Sequence, residues 1–122
     1  MAAPNILGAT SIYGKSVGAA LDTTLTTTLL TCAANKVLKI NSIIVANVDG
    51  SSAADASVTF YDSSATASYR VASTVAVPAD STLIVLGKDS PIYLEESDEI
   101  RGGASANSDL EIVISYDELD DA

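Results

Sequence analysis

Between Lys36 and Asp62, apolar and polar residues exchange places at every second position on either side of a polar loop from Asp49 to Asp55. This is the period of a β-ribbon, not of a helix, because successive side chains of a strand point to opposite faces. On the first strand of the ribbon, Leu38, Ile40, Ile44, Ala46 and Val48 share one face. The other face begins polar at Lys39 and Asn41 and turns apolar at Ile43 and Val45. A strand that is apolar on both sides in its middle is either central or lies under a subunit contact. On the return, Val58 and Phe60 oppose Thr59 and Tyr61.

The same alternation recurs along the rest of the chain. Leu25, Thr27, Leu29 and Thr31 make a first core strand, helped by the extended-chain preference of β-branched threonine. Tyr69, Val71, Val75 and Val77 make another, which Pro78 ends by removing a donor. Thr82 to Gly87 is a short buried-type strand, and Ile92 and Leu94 form the next. Glu95 to Glu99 is a charged connection, Gly102 to Asp109 a small flexible loop, and Leu110, Ile112, Ile114 and Tyr116 close the sheet. Short strands separated by turn signals, with no amphipathic helix, predict an all-β, single-domain antiparallel β-sandwich or jelly roll with an extended N-terminal arm. The divisions are an arm or edge strand over 1–21, the β-domain over 22–118 and an acidic tail over 119–122. Leu38, Ile40, Ile44, Val58, Phe60, Leu110, Ile112 and Ile114 are the predicted core.

Charge changes this picture. Sixteen acidic residues stand against six basic ones, a net charge of -10, and the cations Lys15, Lys36, Lys39, Arg70, Lys88 and Arg101 are scattered. Nothing in that distribution would track a phosphate backbone, so no nucleic-acid partner is expected. Mean hydropathy is nevertheless +0.31. The carboxylates must then be concentrated in a few places, leaving strand faces apolar enough to suggest burial by assembly. Ile43 and Val45, read as an outward pair, predict a closed homo-oligomer, with a trimer as the first choice. In the N-terminal segment, Ile6, Leu7, Ile12 and Val17 are the candidate contacts of a clasp onto neighbouring subunits, supported by Leu21.

Candidate chemistry is sparse. The chain has no histidine, which removes histidine-dependent triads and most zinc sites. Cys32, the only cysteine, cannot form an internal disulfide and reads as a buried apolar thiol. Gly14-Lys15-Ser16 looks like the end of a phosphate loop, but the glycine such a loop needs five positions earlier is Ala9. Glu95, Glu96, Asp98 and Glu99, and the terminal Asp117, Glu118, Asp120 and Asp121, lack the spacing of a calcium loop, and Asp49-Gly50 is explained by a turn. With no tryptophan, one phenylalanine and five tyrosines, an exposed aromatic platform for sugars or single strands is not evident. The expectation is no catalytic residue, no cofactor, no metal, and neither a secretion leader nor a membrane anchor.

KINSIIVANVDG, VPADSTLIVLGKDSPIYLEE and LEIVISYDEL, following a Thr/Ala-rich N-terminal third, resemble segments of small virion structural proteins of tailed bacteriophages, particularly those of marine cyanobacteria. The resemblance covers roughly residues 36–118. It implies a non-enzymatic subunit, made in the host cytoplasm and carried on the virion in many copies. The implied partner is the major capsid protein or another virion protein. A capsid decoration (cement) protein is the first expectation, a collar, neck or tail protein the second, and a host-surface binding module the third.

Overall fold

The computed structural model describes residues 11–120. Nine strands follow one another: β1 (Ser11–Ala20), β2 (Thr27–Thr31), β3 (Lys36–Asn47), β4 (Ala54–Asp62), β5 (Ala67–Val77), β6 (Thr82–Leu86), β7 (Ile92–Leu94), β8 (Glu99–Ala104) and β9 (Leu110–Asp120). They form two antiparallel sheets. One runs β1-β9-β3-β6, with the short β7 also paired to β3, and the other runs β2-β8-β4-β5. The pairings nest: β4 with β5, then β3 with β6, β2 with β8 and β1 with β9. Successive nested pairs therefore fall in alternate sheets.

The inward faces of both sheets contribute to one core, in which Leu38, Ile40, Ile43, Val45, Ile112 and Ile114 of the first sheet meet Ala56, Val58 and Ile100 of the second. On β9, Leu110, Ile112 and Ile114 are buried while Glu111 and Val113 are exposed, as a strand with one covered face requires.

Strand β3 departs from simple alternation, and the departure corrects two expectations. Ile40 lies opposite Tyr116 and Ser42 opposite Ser115, so Asn41 is an extra residue in β3, a β-bulge. An extra residue reverses which parity faces inward. Leu38 and Ile40 are buried before it, and Ile43 and Val45, at 0% exposure, after it. Ile44, expected in the core, is 36% exposed, and the supposed outward pair Ile43 and Val45 is inside. Phe60 is half-buried, packed against the core rather than within it.

Part of a supposed loop and part of the supposed tail are also strand. Gly102, Gly103 and Ala104 end β8, in the interior of the second sheet, and all three are buried. The absence of side chains is what lets them fit: a Cβ on Gly102 would lie 2.7 Å from the Ser57 carbonyl oxygen, and one on Gly103 would collide with the Thr24 carbonyl. At the C-terminus β9 continues through Leu119, which is buried, to Asp120. Residues 11–20, from the segment read as arm or edge strand, pair with β9 over their whole length, from Ser11 opposite Asp120 to Ala20 opposite Glu111.

Candidate functional site

Cross-strand partners share a face, so the register gives the outward surface of the first sheet row by row. Gly18, Val113, Ile44 and Ile84 form one row across β1, β9, β3 and β6. Val113 is 45% and Ile84 66% exposed, and with Ile44 they make an apolar band. The next row, Ser16, Ser115 and Ser42, is hydroxylic, with Ser16 Oγ and Ser115 Oγ 3.1 Å apart. Beside the band, an open groove is lined by Gly18, Ala20, Glu111 and Val113. Its floor exists because glycine and alanine leave β1 without bulk there.

The inward face of the same sheet ends in an ionic clamp. Glu118 Oε1 accepts from Lys15 Nζ at 3.1 Å and from Lys36 Nζ at 3.0 Å, and Lys36 Nζ also lies 3.2 Å from Asp120 Oδ2. Lys15 is on β1, Glu118 on β9 and Lys36 on β3, so one carboxylate bridges three strands. Burial pushes the Glu118 carboxyl up, but the hydrogen bonds from Lys36 and Lys15 outweigh it and hold the group below its ordinary value. The hydrogen bonds that Lys36 donates to Glu118 and Asp120 in turn hold it protonated above its usual range.

On the second sheet, Glu99 accepts from Thr28 Oγ1 at 2.7 Å and Arg101 Nε at 2.8 Å, and the Arg101 guanidinium stacks 3.9 Å above the Tyr61 ring. The hydrogen bond from Arg101 keeps the Glu99 carboxyl below its ordinary value. Every group in this cluster has its partner within the chain.

The acidic run 95–99 is a structural cap. Asp98, 3% exposed, accepts from the Ser63 backbone N–H at 2.9 Å through Oδ1 and from that of Glu95 at 3.0 Å through Oδ2. Its carbonyl accepts from the Cys32 N–H at 3.0 Å. Cys32 Sγ donates to the Lys36 carbonyl at 3.2 Å, and burial pushes its thiol up to about 11, which leaves it a poor nucleophile at neutral pH. Asn47 plays the matching role at the other end of β3, donating through Nδ2 to the carbonyls of Ser52 and Val77 and accepting from the Asp49 N–H.

Of the predicted contact residues, Ile12 is 63% exposed near the start of β1 and Val17 is half-buried against the core. Ile43 and Val45 are in the core, and Ile6 and Leu7 lie outside the described residues. The outward residues Ile44, Val113 and Ile84 were missed. Val113 was legible as the odd member between Ile112 and Ile114, whereas Ile84 sits in the unbroken apolar run Leu83 to Leu86, where no alternation marks a face. Among the described residues, no group of three or more Cys, Asp or Glu is placed to hold a metal ion, and no helix is long and apolar enough to cross a membrane.

Searches of protein-family models, curated proteins and solved structures found no match to this chain.

Proposed function

We propose that this chain is a non-enzymatic structural protein of a tailed-phage virion, a head decoration (cement) subunit that binds the assembled shell in many copies. The observation that carries the reading is the strand order. Sheets ordered β1-β9-β3-β6 and β2-β8-β4-β5, with the pairs nested about one turn, support reading the fold as a jelly-roll sandwich. That architecture is common among viral capsid domains, and it agrees with the resemblance of residues 36–118 to small virion proteins. The apolar band Ile44, Val113 and Ile84 supports the same role, since it suits a contact with the shell or with another copy. A trimer, if formed, would use this band, since Ile43 and Val45 are in the core.

Immunogold labelling of intact particles with an antibody to this protein tests the reading. Gold distributed over the head supports decoration. Gold confined to the neck or tail replaces decoration with a collar or tail role. Particles free of the protein overturn the virion reading.

A further inference from the structure

The edges of the two sheets differ in how well they are protected. β2 and β6 are five residues each and irregular in register, and β5 is broken by two register shifts against β4. These are the devices that keep an edge from recruiting another strand. β1 has none of them. It is ten residues long, pairs with β9 without a shift, and its other side carries no strand among the described residues. Its single charge is Lys15, already tied to Glu118, and no acidic residue precedes Asp22 in a chain that has sixteen. For a molecule of net charge -10, this is an edge at which a second copy meets little repulsion from the strand itself.

We infer that β1 pairs antiparallel with β1 of a second copy about a two-fold axis through Ser16, joining the two β1-β9-β3-β6 sheets into one. A two-fold axis normal to the sheet brings residues of the same face opposite each other, so the two paired numbers must sum to an even value. Centring on Lys15 would set two ammonium groups face to face, a destabilising pair. Centring on Gly14 or Val17 shortens the overlap. Centring on Ser16 pairs residues 12 to 20, and it sets large against small. Ile12 faces the partner's Ala20, Tyr13 faces the partner's Ala19, and Gly14 faces the partner's Gly18. Ile12, 63% exposed in the single chain, would then lie over the groove lined by Gly18, Ala20, Glu111 and Val113. The serine row extends across the axis from Ser115 and Ser16 to their copies. Nine paired residues supply roughly eight to ten backbone hydrogen bonds, the number carried by an ordinary protein interface.

The pairing is independent of where the protein acts, and the purified full chain is enough to detect it. Ser16→Cys should give a disulfide-linked dimer under mild oxidation, because the new thiols meet at the axis while Cys32 is buried. Lys15→Cys, which lies off the axis, should cross-link far less. Ile12→Glu should halve the mass seen by sedimentation at a concentration where the natural chain is dimeric, with an unchanged far-ultraviolet spectrum. Ile12→Lys combined with Ala20→Glu, which places opposite charges across both symmetric contacts, should restore the dimer. A natural chain that stays monomeric at high concentration with no Ser16→Cys cross-link overturns the pairing. So does a trimer whose mass is insensitive to Ile12→Glu, or preferential cross-linking through Lys15→Cys.

Discussion

The bulge at Asn41 makes neighbouring isoleucines unequal, and alanine substitution at each measures the inequality. Ile43 is fully buried between the sheets, and Ile44 is 36% exposed on the opposite face. Ile43→Ala removes three buried carbons, about 2.4 kcal/mol of transfer free energy at ~0.8 kcal/mol each. The cavity left in a core that collapses incompletely raises the cost to about 3–4 kcal/mol, within the range of about 2–5 kcal/mol for such deletions. Ile44→Ala leaves no enclosed cavity and removes surface already partly in water, so about 1 kcal/mol or less is expected. In urea titrations the Ile43→Ala midpoint should fall well below that of Ile44→Ala, with both slopes unchanged. Thermal melts should separate by roughly 10 °C, taking about 4 °C per kcal/mol for a domain of this size. Equal losses, or a larger loss at Ile44, would refute the bulge and return β3 to unbroken alternation.

Gly103→Ala should destabilise by about 2 kcal/mol or more, and Gly102→Ala should also destabilise, because each new methyl meets backbone of a neighbouring segment that cannot yield; chemical denaturation reads the loss. Asp98→Ala should cost about 1–3 kcal/mol by stranding the N–H groups of Ser63 and Glu95, and hydrogen exchange should speed at both amides. Acid should destabilise the fold through Glu118 and Glu99. Their folded values are depressed, so their contribution is complete above the ordinary glutamate range and is lost as pH falls through the lower folded values; Glu118→Gln should flatten the melting temperature over that window. Base acts on Cys32 in the opposite sense: its thiol is raised from 9.0 to about 11, so stability falls as pH climbs through that interval, and Cys32→Ala should remove this component.

The all-β class and most strand positions were legible because period-two alternation is written locally, as on β9, where Leu110, Ile112 and Ile114 are buried as their spacing predicted. What was not legible depends on neighbours distant in the chain. The bulge at Asn41 appears only when β3 is laid against β9, since Asn41 looks like any polar alternation until its partner strand skips it. Gly102 and Gly103 look like a flexible loop because glycine is usually read as freedom. Here the same lack of a side chain serves the close approach of Ser57 and Thr24, and only the packed sheet reveals it. The candidate surface was misread for the same reason. Ile43 and Val45 were placed outward by a parity that the bulge reverses, and the outward role passes to Ile44, with Val113 and Ile84 beside it.

Glu118 links these local features to the use of the β1 edge. One carboxylate holds Lys15 of β1 and Lys36 of β3 together across β9, on the face opposite the serine row and the groove. Each bridge is partly exposed and worth little alone, about 0–1 kcal/mol. Their arrangement nevertheless tethers an edge strand that, among the described residues, pairs with β9 alone. β1 thus keeps an unshifted register with β9 over ten residues while no other strand among the described residues lies on its free side, and it uses its one charge internally, leaving none to repel an incoming strand. A protein selected only to remain monomeric would be expected to blunt such an edge, as β2, β5 and β6 are blunted in this same chain. The contrast within one molecule favours β1 as a contact surface over β1 as an unprotected edge.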